Sequence, residues 1–147
     1  MNQHFIFSTD EWIGEGTIRL SMSEEPLHFV TRWKPQPKDA SGMIEVIQEV
    51  QIKGINEMMI NHFTFATADL NNIDIVLENN TVGKVQGTGV VNPNIIGWEF
   101  NQPQVHFQGF EFYEKQNPDQ YLMRGEYASD DDYRTYITGK IWKKNSV

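Results

Sequence analysis

Between Trp12 and Leu20 the chain divides into two sets by parity. Trp12, Gly14, Gly16, Ile18 and Leu20 are apolar or glycine, whereas Glu15, Thr17 and Arg19 interrupt the other set. A period of two marks a strand with one buried face. Glycines on that buried side mark a strand that bends sharply or lets another backbone come close, as at the corners of a closed barrel. The alternation returns over residues 43–52, where Ile44, Val46, Val50 and Ile52 share a face with Gln48 while Glu45, Glu49 and Gln51 take the other. Over residues 57–67 both faces are mixed: Met58, Ile60, His62 and Thr64 oppose Met59, Asn61, Phe63 and Phe65, and the pattern leaves open which set is inside.

Continued along the chain, the pattern predicts strands at residues 12–20, 29–33, 43–52, 57–67, 73–77, 81–91, 95–100, 106–114, 121–128 and 133–144. Short turns rich in Pro, Asn, Asp and Gly separate them, and Ser8, Thr9, Asp10 and Glu11 are expected to cap one short helical turn ahead of Trp12. No segment sustains a helical period and no repeat is visible. The expected fold is therefore all-β, a single antiparallel up-and-down meander of about ten strands closed into a barrel, because closure removes the exposed edges of such a sheet. A Greek-key sandwich is the rival, but it calls for longer crossing loops.

Composition narrows the functional classes. A chain of 147 residues with 39% hydrophobic, 22% charged and 12% aromatic residues suits one globular domain spanning 1–147, with ample bulk for a core or a cavity lining. A net charge of -8 argues against a nucleic-acid partner, since only Lys140, Lys143 and Lys144 cluster. The absence of cysteine removes disulfides, thiolate metal sites and a cysteine nucleophile. No basic leader and no long apolar run is present, so membrane insertion is not expected and a cytoplasmic location is the default. Asn79-Asn80-Thr81 matches a glycosylation sequon and reads as a hairpin tip.

The whole-chain pattern resembles the calycin superfamily, the lipocalin-like and fatty-acid-binding-protein-like barrels. The resemblance rests on Trp12-Ile13-Gly14-Glu15-Gly16 opening the first strand and on the closing strand Tyr136 to Lys144. The W-x-G-x-G order is nearest to nitrobindin-type members, since lipocalins place a glycine before the tryptophan. It implies a barrel that takes a small molecule inside. The chain departs from fatty-acid-binding proteins in leaving no room for a helical pair between Ser21 and Leu27. It departs from the haem-holding members in having no histidine after His106, so no cofactor is expected.

Arg134 and Tyr136 resemble the Arg-x-Tyr pair with which fatty-acid-binding barrels hold a carboxylate. A hairpin centred on Asp130 sets Tyr127 opposite Tyr133 and Glu126 opposite Arg134, which turns Arg134 and Tyr136 outward and Tyr121, Met123 and Tyr127 inward; a turn shifted by one residue reverses these faces, so the pattern leaves both directions open. The four histidines, His4, His28, His62 and His106, have no metal-ligand spacing, and Asp130, Asp131 and Asp132 lack the alternating oxygen ligands of a calcium loop. The expected function is binding of a small hydrophobic or amphipathic molecule, with Met58, Trp98, Phe110, Met123 and Tyr127 lining the cavity and Gln48, His62 and Gln108 as polar anchors. Two other readings remain open. One is a barrel enzyme, an isomerase, cyclase or hydrolase with His62 as general base; the other is an interaction protein using an apolar outer patch around Phe29 and Trp33.

Overall fold

The computed structural model describes residues 4–128 and 133–144. A 3-10 turn, Phe5–Phe7, precedes ten strands: β1 Trp12–Leu20, β2 Leu27–Pro35, β3 Ile44–Ile52, β4 Met58–Thr67, β5 Asn72–Asn79, β6 Gly83–Val91, β7 Ile95–Gln102, β8 Phe107–Asn117, β9 Gln120–Ala128 and β10 Arg134–Lys143. Each strand pairs antiparallel with its neighbours in sequence, and β1 pairs with β10, so the sheet is a closed meander. The expected all-β barrel is what the chain forms. A second 3-10 turn, Pro103–Val105, sits in the β7–β8 connection.

At the seam between β1 and β10, Trp12 faces Lys143 and Gly16 faces Gly139. A methyl group added at Gly16 would lie 2.1 Å from the Thr138 carbonyl oxygen and 2.8 Å from the Gly139 Cα. Two glycines in register therefore let the first and last strands close at a distance that side chains forbid.

The helical turn lies earlier than expected. Ser8 does not open it; its hydroxyl donates back to the Phe5 carbonyl at 3.2 Å and closes it. The reason is burial, because Phe5 and Ile6 are fully enclosed and push the turn into the barrel mouth as a plug. The Phe5 ring packs on Trp12, Trp33, Tyr113 and Tyr121 at centroid distances of 5.1 to 5.8 Å. Behind it Trp33, Phe63, Trp98 and Tyr113 form a second layer of rings in mutual contact.

His4 anchors this plug. Its Nε2 lies 2.6 Å from the Asn92 carbonyl oxygen, which fixes Nε2 as the protonated nitrogen; its Nδ1 then accepts from the Tyr121 hydroxyl at 2.8 Å, and that oxygen accepts the Phe5 N–H at 3.2 Å. A neutral imidazole satisfies every group in the chain. Burial pushes the His4 pKa below its usual value, partly opposed by the Asn92 carbonyl and reinforced by the charge of Lys115. A depressed histidine pKa means that the folded state binds fewer protons than the unfolded one, so this stabilisation is present above the ordinary histidine range and is lost as pH falls through the folded value. Melting temperatures between pH 7 and pH 5 are expected to fall more steeply for the native chain than for His4→Gln. Parallel curves would remove His4 from that role.

In the β9–β10 hairpin the pairs run two residues further along β10 than expected. Tyr127 faces Thr135 instead of Tyr133, and Arg134 faces Ala128. A shift of two preserves the alternation of faces, so Arg134 and Tyr136 do point outward, and Arg134 still reaches Glu126 diagonally at 3.0 Å. Asp130, Asp131 and Asp132 lie outside the described residues.

Candidate functional site

The plug fills one end of the barrel, and among the described residues no corresponding plug fills the other. Between the layer of rings and that other end is a cavity of about 370 Å3. Its floor is Trp33, Phe63 and Tyr113, and its apolar wall includes Phe29, Leu77, Met123 and Ile137. Outward positions on the same strands carry Glu15, Arg32, Glu49, Asp74, Glu99, Arg124 and Lys140, so the wall faces water outside and apolar surface inside. No helix among the described residues is long and apolar enough to cross a membrane.

Two polar assemblies interrupt the apolar lining. The first is a ladder across four strands. The Asn79 amide donates to Asn61 Oδ1 at 2.9 Å, Asn61 to Gln48 Oε1 at 2.9 Å, Gln48 to Thr31 Oγ1 at 3.2 Å, and Thr31 to the Glu49 carbonyl at 2.9 Å. Asn79 Oδ1 meanwhile accepts the N–H groups of Thr81 and Val82, which ties the ladder to the hairpin tip expected at the sequon. Four adjacent strands thus each supply one internal amide or hydroxyl, and the satisfied chain holds their donors and acceptors in fixed orientation at the cavity edge.

The second assembly surrounds Glu111. This glutamate is 8% exposed and points into the barrel. The Tyr113 hydroxyl donates to its Oε1 at 2.7 Å and the Tyr127 hydroxyl donates to its Oε2. Burial pushes the carboxyl pKa up; the hydroxyls of Tyr127 and then Tyr113 pull it back by bonding to the anion, and the Trp98 indole, whose N–H lies outside hydrogen-bond geometry, adds the weakest pull. Burial and the carboxylate charge push both phenol pKa values well above the ordinary tyrosine range. Tyr127 is held in place by Gly109, its partner across the β8–β9 ladder. A methyl at Gly109 would meet the Tyr127 ring at 2.2 Å, so the ring lies against bare backbone, and it stacks on Phe107 at 5.3 Å.

Of the residues proposed from sequence, Gln48, Met123 and Tyr127 line this cavity. Trp98 is interior but belongs to the packed ring layer beneath it. Met58, His62, Gln108 and Phe110 face outward, and their assignment to the interior is corrected. In β4 the odd set of residues is inside because Phe63 and Phe65 stack at 5.6 Å in the core, which turns Met58 and His62 onto the outer wall, Met58 opposite Gln51 and His62 between Ile47 and Glu78. There they border a second concavity of about 920 Å3. His62 therefore has no inward position from which to act as a general base. In β8 the interior set is Phe107, Gly109, Glu111 and Tyr113, so Phe110 and Phe112 pack on each other outside at 5.4 Å, with Phe112 over Gly97. Gln108 donates to Asn101 at 3.1 Å on the same outer surface. Phe29 and Trp33 are buried, which removes the outer patch proposed around them.

The sequence reading missed Glu111, Tyr113, Asn61 and Asn79. A charged residue on a strand reads as outward, and Glu111 overrides that rule because two phenols reach it. The available signal was Gly109, a glycine inside a strand, which marks the face onto which a large neighbour folds.

A solved structure has the same architecture. An S-type phycobiliprotein lyase from Guillardia theta superposes with a TM-score of 0.71 at 8% identity, covering 95% of this chain and 90% of the other. That likeness is one of fold alone. No family model matches the chain, and no curated protein matches it. Among the described residues there is no group of three or more His, Cys, Asp or Glu able to hold a metal ion. The polar chemistry of the cavity rests on one carboxyl, two phenols and the amide ladder.

Proposed function

We propose that this barrel is a binding protein for a small amphipathic molecule, admitted through the end opposite the plug. The observation that carries the reading is the half-open cavity of about 370 Å3, which joins an aromatic and aliphatic lining to a few internally positioned polar groups. That combination is the usual make-up of a small-molecule site. A body of rings or methylenes would lie against Trp33, Phe29 and Ile137, with its polar end toward Glu111, Tyr127 and the Gln48–Asn61 amides. Architectural likeness to a phycobiliprotein lyase supports a small-molecule role and brings a bilin into the set of probes worth testing.

Trp33 on the cavity floor provides the readout. Titration with a panel of a fatty acid, a retinoid, a bilin and an arylalkyl amine is expected to change tryptophan emission saturably for at least one member and to raise the melting temperature with it. Ile137→Trp, which fills the cavity, is expected to abolish that response while leaving a cooperative melt. A panel that changes neither emission nor melting would overturn the reading.

A further inference from the structure

Glu111 is a buried acid with two phenol donors and, among the described residues, no counter-ion. Each of its oxygens accepts one phenol, and since the two hydroxyls have no other acceptor among the described residues, the arrangement fits the ionised carboxylate and leaves lone pairs on both oxygens. No lysine, arginine or histidine among the described residues pairs with it. Glu15 and Lys140 contribute to the cavity wall but sit on the opposite parity, facing one another across the seam, and the Lys140 ammonium lies 5.9 Å over the Trp142 ring on the outer surface. From the elements packed around Glu111 the groups that face it are Tyr113 on its own strand, Tyr127 on β9 and Trp98 on β7, all uncharged. A carboxylate held out of water in this way is costly until an opposite charge completes it.

We propose that the cavity is built for a protonated organic amine, an ammonium group on an apolar body, with the ammonium bound to Glu111. The proposal rests on the barrel-binding reading above and assigns the chemical class of its ligand. The remaining lone pairs of Glu111 accept the N–H donors. The aromatic rings of Trp33, Phe63 and Tyr113 receive the body and favour a nearby cation through their negative faces. A net charge of -8 favours the approach of cations to the protein. An anionic ligand meets the opposite balance, since the described cavity offers it no inward cation and one buried negative charge.

The test compares three probes of one shape: 4-phenylbutylamine, 4-phenylbutan-1-ol and 4-phenylbutyrate, titrated against the full chain by tryptophan emission. At pH 7.5 the amine is expected to bind at least tenfold more tightly than the alcohol, and the carboxylate more weakly than either. Glu111→Gln is expected to remove the preference while alcohol binding persists, and Tyr127→Phe, which keeps the carboxylate, to retain it. If Glu111→Gln does not melt cooperatively, the native chain decides the matter: the preference for amine over alcohol must shrink as pH is lowered and Glu111 takes up a proton. Equal binding of amine and alcohol, a preference that survives Glu111→Gln, or a preference independent of pH would overturn the proposal. If none of the three binds while a fatty acid, retinoid or bilin does, the amine assignment fails and barrel binding stands; if no probe binds at all, both fail.

Discussion

Trp12→Ala is expected to lower the stability of the barrel by about 3–5 kcal/mol, the usual cost of emptying a large aromatic site in a core. The indole is 3% exposed. Four parts of the chain converge on it: it faces Trp33 on β2 and Lys143 on β10, and its ring contacts Phe5 of the plug at 5.8 Å and Tyr121 of β9 at 5.4 Å. Truncation removes contacts on all of these at once, and the surrounding strands cannot collapse into the space because the sheet is closed. Denaturant unfolding of the native and variant chains at neutral pH measures the difference. A loss below about 1 kcal/mol, the range of an average substitution, would mean that Trp12 is not part of the seam.

Gly16→Val is expected to cost about 1–3 kcal/mol or more, from overpacking instead of a cavity. A branched side chain at Gly16 meets the Thr138 carbonyl, the Gly139 Cα and the Phe29 ring, all within 3.0 Å of where its first carbon would stand. Two of those obstacles are backbone and cannot rotate away, so β1 and β10 must separate. Thr17→Val is the matched control. Thr17 is on the outward parity, where its hydroxyl pairs with Thr138 at 3.1 Å in an exposed hydrogen bond, and its replacement should stay within about 0.5 kcal/mol. Comparable melting of both variants would show that the close approach of β1 and β10 is not needed for closure.

Much of the fold was legible in the residues. The parity of Trp12 to Leu20 located β1 to the residue, and the spacing of turns placed all ten strands within a few residues of where they lie. Both follow from local chemistry, because side chains alternate across a strand and Pro, Asn and Gly interrupt pairing. The expected hairpin register favoured an outward Arg134 and Tyr136 without deciding it, and that direction holds in the structure because the actual shift is two residues, the period of the strand, where a shift of one would have reversed it.

The candidate site was legible only in part. Gln48 stood out as a polar residue on an apolar face, and Met123 and Tyr127 followed from the parity of β9. In β4 and β8 the residues of both parities are apolar enough to be inside, and local pattern cannot choose between them. The choice depends on partners distant in sequence: Trp98 beside Phe63 and Phe65 in β4, and Tyr127 beside Glu111 in β8.

By itself, the sequence determined an antiparallel meander closed into a barrel, because strand period and turn chemistry act over a few residues. Only the tertiary structure decided what the enclosed space contains. A plug from residues before β1 fills one end with rings, and a carboxylate that any local rule would send into water is held inside by hydroxyls from two strands. The free energy of burying a charge is set by the groups that surround it, and those are brought together only when the barrel closes.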